Sequence, residues 1–130
     1  MAACPCGTGS AFPECCRPYL RGESVAPTAE SLMRSRYTAY VRQDEAYLLR
    51  TWAPSSRPDS LELEGIAWQG LDVRATQAGG PDDATGTVTF VAHFHADDAA
   101  AGGESMHEVS RFVRDGEAWL YLDGDADGSG

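Results

Sequence analysis

All four cysteines of this 130-residue chain lie between Cys4 and Cys16, in the stretch CPCGTGSAFPECC. Thiolates are soft metal ligands, and four of them complete a tetrahedral Zn2+ site. The glycines of GTG, directly after Cys6, allow a tight turn that brings backbone amides close to the sulfur atoms. We therefore predict that Cys4, Cys6, Cys15 and Cys16 bind one metal ion, which is Zn2+ or, with the same ligand set, Fe2+.

Other uses of the thiols fit this pattern less well. A disulfide between the adjacent Cys15 and Cys16 would be strained, and the cytosol would reduce it. A catalytic cysteine needs one activated thiol beside a base, rather than four clustered thiols. Two alternatives stay open, namely a redox-sensitive cluster and a set of thiols that binds no metal in the cell.

Composition restricts the partners and the compartment. The chain has 20 acidic and 10 basic residues and a net charge of -10, so neither nucleic acid nor an anionic membrane is an expected partner. It has no apolar run long enough to span a membrane, and its N-terminus lacks the basic and apolar segments of a signal peptide. We expect a cytoplasmic protein, whose thiols are kept reduced.

The first half of the chain carries helical signals. Prolines interrupt the region up to residue 28, which predicts a cysteine knuckle followed by a linker. Thr28 is a typical N-cap, and Asp44 can cap a second short helix that runs to Trp52. The side chains that recur at helical spacing behind Thr28 are Ala29, Leu32, Met33, Arg36, Tyr37, Tyr40 and Val41.

The second half carries strand signals. IAWQGLDVRATQ, TVTFVAHFHA, MHEVSRFVR and AWLYLDG each predict a strand, and the last two are joined by a hairpin around Asp115 and Gly116. Leu61 and Leu63 are predicted to form a short strand or turn. One face of the second strand carries Val88, Phe90, Ala92 and Phe94. Helices followed by strands predict an α+β fold.

Two known families share these stretches. CPCGTGSAFPECC resembles the SEC-C motif, a short zinc-binding module found at the end of the SecA translocation ATPase. PYLRGESVAPTAESLMRSRYTAYVRQDEAYLLRTW, WQGLDV, TVTFVAHF and EVSRF…GEAWLYLDG resemble the largely uncharacterised YchJ family of bacterial proteins. The resemblance implies a zinc knuckle at 1–22 and a nuclear transport factor 2-like domain at 23–124. In that fold a cone of helices packs on a curved antiparallel sheet. Residues 125–130, which are rich in Gly and Asp, are expected to form a mobile tail.

The chain departs from both families at two places. Longer YchJ members carry a second SEC-C motif at the C-terminus, whereas this chain ends in DGDADGSG. SecA-type motifs carry lysines before the cysteine pair, and this chain has SAFPE there. We therefore do not expect the basic surface that a role in translocation would use.

Arg36 is a charged residue within the apolar stripe of the first long helix. Glu108 shares strand parity with Ser110 and Phe112 and is predicted to point inward. An ion pair between Arg36 and Glu108 would neutralise both buried charges, and a snorkelling Arg36 is the alternative. Arg34 is off the stripe and is expected at the rim or on the surface. If the cone encloses a pocket, its candidate residues are Arg36, Tyr40, Trp52, Trp68, Glu108, Ser110 and Tyr121.

The three histidines, His93, His95 and His107, have the opposite strand parity. We expect them in solvent or at an interface, and a homodimer could form through an outer sheet face that includes His93, His95 and Arg111. A metal site from His93 and His95 would lack a third ligand. DGDADG lacks the downstream glutamate of a calcium-binding loop.

Three classes of function remain. We favour a zinc-binding interaction module that docks an unknown protein partner, because a closed four-thiolate site leaves no position for a substrate. The second class is a small-molecule-binding or isomerase- or lyase-like pocket in the cone, and the third is a thiol-based sensor of metal or oxidants. No catalytic residue is identified.

Overall fold

A computed structural model describes residues 4–61, 63, 66–96 and 104–126. In that part of the chain three α-helices precede four strands, which confirms the α+β order. The elements are α1 Arg17–Leu20, α2 Ala29–Arg42, α3 Glu45–Arg50, β1 Ile66–Ala78, β2 Thr85–Ala96, β3 Glu104–Asp115 and β4 Ala118–Ala126. The strands form one antiparallel sheet in the order β1-β2-β3-β4.

Both predicted N-caps are present. The Thr28 hydroxyl accepts a hydrogen bond from the Ser31 amide at 3.0 Å, and the Asp44 carboxylate accepts one from the Tyr47 amide at 3.1 Å. Each cap satisfies a backbone donor that the first helical turn leaves free. The two caps therefore fix where α2 and α3 begin.

Helix α3 ends at Arg50, two residues before the predicted end at Trp52. The chain leaves the helix there because it pairs with the edge of strand β4. The Tyr121 amide donates to the Thr51 carbonyl at 2.8 Å, and the Ala53 amide donates to the Tyr121 carbonyl at 2.8 Å. This parallel bridge holds the end of α3 against the sheet.

Helix α2 packs on the inner face of the sheet and forms the core with it. On β2 the inward side chains of Val88, Phe90 and Ala92 are at most 5% exposed, as the alternating pattern predicts. Trp119 of β4 is 1% exposed and donates its indole N–H to the Pro27 carbonyl at 3.2 Å. The core therefore lies between one helix and one sheet face.

The sheet departs from a regular ladder at several points. Strand β1 has register shifts between Trp68 and Gly70 and between Val73 and Ala75, so the predicted bend at the glycine is a bulge. The turn between β3 and β4 consists of Gly116 and Glu117, one residue later than predicted.

Three other predictions concern segments outside the regular elements. Leu61 and Leu63 lie in no strand or helix and pack against the cluster formed by Ala39, Tyr47 and Leu48. Residues 97–103, which lie between the second and third predicted strands, fall outside the described part of the chain. The predicted mobile tail at 125–130 is wrong for its first two residues, because Asp125 and Ala126 belong to strand β4, and residues 127–130 lie outside the described part of the chain.

Candidate metal centre and ligand cavity

The cysteine-bearing segment, residues 4–16, folds into two tight turns. Gly7 and Gly9 have φ angles of 87° and 86°, a conformation that favours glycine, and the Cys4 amide donates to the Ser10 carbonyl at 2.7 Å. A short 3-10 turn at Phe12–Glu14 then leads into α1. These turns bring the first and last cysteines of the segment together.

The four thiols form one cluster, with all Sγ atoms within 4.8 Å of one another. The Sγ atoms of Cys6 and Cys15 are 3.4 Å apart, and those of Cys15 and Cys16 are 3.9 Å apart. Tetrahedral zinc with Zn–S bonds of about 2.3 Å requires sulfur atoms separated by about 3.8 Å. The donor set and its spacing therefore fit a four-thiolate metal site.

Helix α2 supplies polar contacts to this cluster. The Thr38 hydroxyl lies 3.4 Å from the Cys16 sulfur and 3.5 Å from the Cys4 sulfur. Arg34 donates to the Cys6 carbonyl at 2.6 Å and pairs with Glu30 at 2.9 Å. Such contacts orient the ligands. Arg34, predicted at the rim or on the surface, is thus held between the helix and the cysteine segment.

Crowding makes the thiols titrate unequally. The pKa of the Cys6 thiol is lowered because the Cys16 thiol donates a hydrogen bond to it, and the same bond raises the pKa of Cys16. Burial raises the pKa of the Cys15 thiol to about 11. Without a cation the cluster cannot hold four thiolates, because neighbouring negative charges oppose ionisation. A dication is the partner that this donor set fits.

A second candidate site is a cavity of about 270 Å³ between α2 and the inner face of the sheet. Six of the seven side chains proposed from the sequence line it, and Trp52 does not. Trp52 instead packs edge-to-face on Tyr121, with ring centroids 4.8 Å apart. The full lining is Met33, Arg36, Tyr37, Tyr40, Ile66, Trp68, Phe90, Ala92, Met106, Glu108, Ser110, Phe112 and Tyr121.

The predicted ion pair between Arg36 and Glu108 is wrong. Arg36, which is 5% exposed, donates from Nη1 to the Leu48 carbonyl at 2.8 Å and to the Thr51 hydroxyl at 2.7 Å. Among the described residues no carboxylate pairs with Arg36. The end of α3 takes the place of the predicted carboxylate, because its last carbonyls carry partial negative charge and face Arg36.

Aromatic rings complete the surroundings of the Arg36 guanidinium. Its central carbon lies 5.1 Å from the Trp52 ring centroid and 4.7 Å from that of Tyr121. Both separations are within the range of cation–π attraction, which is strongest where water is excluded. Burial still lowers the pKa of Arg36 from its usual value. The cation is therefore held by neutral groups on one side of the cavity.

Glu108 lies at the same end of the cavity on strand β3. Its carboxylate accepts a hydrogen bond from the Ser110 hydroxyl. A Cβ atom placed on Gly124 would lie only 2.3 Å from a Glu108 carboxylate oxygen and 3.0 Å from the Tyr121 hydroxyl. Gly124 was not singled out from the sequence, although a glycine inside a predicted strand is a signal of close packing.

Two phenols lie near these charges. Burial raises the pKa of Tyr40 and of Tyr121, and the Glu108 carboxylate raises both further. Because an ordinary tyrosine already titrates near pH 10, both side chains stay protonated at neutral pH and can donate hydrogen bonds. Arg36, Tyr40, Glu108, Ser110 and Tyr121 are called the polar end of the cavity below.

The histidines with described side chains lie away from the cavity, as their strand parity predicts. His93 Nε2 is 2.8 Å from an Asp72 carboxylate oxygen, and its Nδ1 is 3.0 Å from the Ser105 hydroxyl. His107 is exposed, and the side chain of His95 lies outside the part of the chain that the structure describes. Both ring nitrogens of His93 thus have protein partners on the outer sheet face.

Arg111 lies on this outer face as well. It pairs with Asp123 at 2.5 Å and with Asp125 at 2.7 Å, and these two bonds raise its pKa. The predicted homodimer through this face stays a prediction. Over the described residues, no helix has the length and apolar character needed to cross a lipid bilayer.

Similar proteins are known from several bacteria. A UPF0225 protein of Streptomyces coelicolor is 47% identical over 123 residues, which cover 94% of each chain. A UPF0225 protein of Corynebacterium glutamicum is 48% identical over 125 residues, which cover 95% of this chain and 97% of the relative. The chain therefore matches these relatives over nearly their whole length.

Two solved structures share the fold. A SEC-C motif containing protein from Rhodopseudomonas palustris, solved in solution, superposes with a TM-score of 0.83 at 31% identity and covers 95% of this chain and 98% of its own. A crystal structure of a SEC-C motif containing protein from Psychrobacter arcticus gives 0.75 at 29% identity, with coverage of 95% and 82%. The family model for the middle NTF2-like domain of YchJ matches residues 28–124. The chain belongs to the YchJ family of bacterial proteins.

Proposed function

We propose that this protein binds a small molecule in its cavity and that a structural zinc ion fastens the cysteine segment to the binding domain. The observation that carries this proposal is the polar end of the cavity. It places a buried cation, Arg36, and a carboxylate, Glu108, on the same cavity without a direct pair between them. Apolar walls with a few converging polar groups are typical of ligand sites.

The metal has a structural role in this proposal. Four thiolates fill the coordination sphere of zinc and leave no position for a substrate. The Thr38 and Arg34 contacts join the cysteine segment to α2, the helix whose other side chains line the cavity. Metal analysis of the purified protein should find about one zinc ion per chain.

The hypothesis of a protein-interaction module has weaker support than the ligand cavity, because the apolar side chains of the cysteine segment and α1 are covered by other residues. The Arg42 guanidinium covers the Phe12 ring, with its central carbon 4.4 Å from the ring centroid. Leu20 packs against the cluster formed by Ala39, Tyr47 and Leu48. Among the described residues, the exposed large hydrophobic side chains are Val25 and Ile66, and neither belongs to the cysteine segment.

Indole is a suitable first probe, because it is neutral and fits walls made of aromatic and apolar groups. We expect saturable NMR shifts at the Trp68 indole and at Phe90 and Phe112, which line the cavity. Ile66 also lines the cavity and is 37% exposed. The larger ring in Ile66→Trp should occupy part of the cavity and so weaken indole binding. Val25→Trp is the matched control, since Val25 is 53% exposed and does not line it.

The same titration can reject the proposal. Shifts that do not saturate, or that spread over the surface rather than the cavity, would show that the cavity takes no ligand. An equal loss of binding in Ile66→Trp and Val25→Trp would point to a general effect of the added ring and would also count against it.

An isomerase- or lyase-like activity is a second candidate. The Glu108 carboxylate could accept a proton from a bound carbon acid, while a Tyr40 or Tyr121 hydroxyl donates to the oxygen that becomes negative. Within the described lining no histidine is present, so Glu108 is its candidate base. The thiol-sensor hypothesis stays a prediction.

A further inference from the structure

The polar end of the cavity carries both signs of charge. Arg36 is nine-tenths buried or more and is stabilised by the neutral Leu48 carbonyl and Thr51 hydroxyl. The Glu108 carboxylate has a neutral partner as well, the Ser110 hydroxyl. Within the described residues, neither charge is cancelled by a counter-ion in direct contact. A ligand head group at this end therefore meets a positive and a negative field together.

A charged head group is disfavoured in such a place. An anionic head that is attracted to Arg36 is repelled by Glu108, and a cationic head that is attracted to Glu108 is repelled by Arg36. Both repulsions are stronger than in bulk water because the surrounding walls are apolar. Each charged head also loses its own hydration on entry. The two protein charges thus select against net charge of either sign.

A neutral head that carries both a donor and an acceptor meets neither penalty. Its acceptor can receive a hydrogen bond from Arg36 or from the protonated Tyr40 and Tyr121 hydroxyls, while its donor bonds to Glu108. A site built to satisfy both groups rejects analogues that leave one unpaired. We infer that the cavity takes a small ring-bearing molecule with an uncharged donor–acceptor head, of which a primary carboxamide is the simplest form.

The apolar part of the cavity determines the body of this ligand. The ring of Trp68 lies with its centroid 5.8 Å from the ring centroids of Tyr37 and Tyr40, and all three side chains line the cavity. The volume of about 270 Å³ is just below the range of about 300–1,000 Å³ typical of drug-sized ligands. A single or fused aromatic ring with a planar head matches that volume and those walls.

This inference rests on the proposed function, and the test separates the two. Benzamide, benzoate and benzamidine have the same shape but are neutral, anionic and cationic at neutral pH. Each is titrated into the full-length metal-loaded protein, with the NMR shift of the Trp68 indole as the measure of binding. We expect benzamide to bind at least about tenfold more tightly than either charged analogue.

Neutralising the carboxylate should change the ranking. In Glu108→Gln, benzoate should gain about tenfold or more and benzamidine should weaken, while benzamide changes little. Asp123→Asn is the control, since Asp123 is an exposed carboxylate on β4 that pairs with Arg111 outside the cavity. It should leave all three affinities unchanged.

Three outcomes would overturn the inference. If benzoate binds wild-type protein most tightly, Arg36 dominates the cavity, and if benzamidine does, Glu108 dominates. Binding of indole without a preference among the three analogues would leave a ligand cavity but remove the head-group selection. Failure of indole and all three analogues to bind would instead reject the proposed function itself.

Discussion

The cysteine cluster gathers four groups that carry the same charge when ionised, whereas the polar end of the cavity holds a cation and a carboxylate apart. In the cluster, all sulfur atoms lie within 4.8 Å of one another. In the cavity, Arg36 and Glu108 each have neutral hydrogen-bond partners. Four ionised thiols in the cluster would need an external cation, while the cavity is balanced in charge without one.

This difference has consequences for stability. A like-charge cluster binds its ion strongly and becomes rigid, because every ligand is needed to complete one closed coordination sphere. Two separated opposite charges leave room for a third group between them. The two regions should therefore differ in how much stability they lose when a single charged or ionisable side chain is removed.

The largest effect is expected from loss of the metal. Cys16→Ser should lower metal content well below one ion per chain and the free energy of unfolding by more than about 3 kcal/mol, because Cys16 is buried and its sulfur contacts α2 through Thr38. Metal analysis and chemical denaturation measure both. Ser10→Ala, an exposed change in the same segment, is the control. Full metal content in Cys16→Ser would contradict the four-ligand site.

Removing the buried cation should have the next largest effect. Arg36→Met keeps most of the side-chain volume but removes two hydrogen bonds and two ring contacts, and we expect a loss of about 2–4 kcal/mol. Arg21→Met is the control, because Arg21 forms a surface ion pair at 3.6 Å with Glu23, which should contribute under about 1 kcal/mol. Similar losses in both variants would show that Arg36 is not held as described.

A methyl group at Gly124 should disturb the polar end of the cavity by displacing Glu108. Gly124→Ala places its Cβ 2.3 Å from a Glu108 oxygen, so Glu108 must move, at a cost of about 1–3 kcal/mol. Gly70→Ala is the matched strand control, because its Cβ would meet its nearest neighbour, a carbon of His93, at 3.8 Å. Chemical denaturation of both variants measures the difference between their free energies of unfolding. If Gly124→Ala is as stable as Gly70→Ala, the carboxylate is not packed against the glycine.

The smallest change is expected for Glu108→Gln. The amide oxygen can still accept from Ser110, and no ion pair with Arg36 is lost, so stability should change by less than about 1 kcal/mol or rise slightly. Combining Glu108→Gln with Arg36→Met in a double-mutant cycle measures the coupling directly. A coupling energy above about 2 kcal/mol would show that Arg36 and Glu108 form a direct ion pair after all.

The two regions were predictable from the sequence to different degrees. The cysteine ligands are of one type and lie between Cys4 and Cys16, so their spacing alone indicates that they can meet. The cavity residues come from α2 and from all four strands. Helical spacing and strand parity still predicted which side chains face inward, because both periods are fixed by backbone geometry.

Helical spacing and strand parity could not predict the contacts within the cavity. The partners of Arg36 depend on where α3 ends, and the pairing of Thr51 and Ala53 with Tyr121 decides that. The position of Glu108 depends on the missing side chain of Gly124 across the β3–β4 ladder. Periodicity assigns a face to each side chain but says nothing of which long-range neighbour it meets there.

Strand β1 is an outer strand of the sheet, and such strands are where foreign chains can add by backbone pairing. Its two bulges interrupt the regular row of backbone groups. At its middle, a Cβ on Gly7 would lie 3.2 Å from the Leu71 carbonyl oxygen, so the cysteine segment covers this stretch. Demetallated protein should therefore be prone to aggregate through β1 even where its domain stays folded.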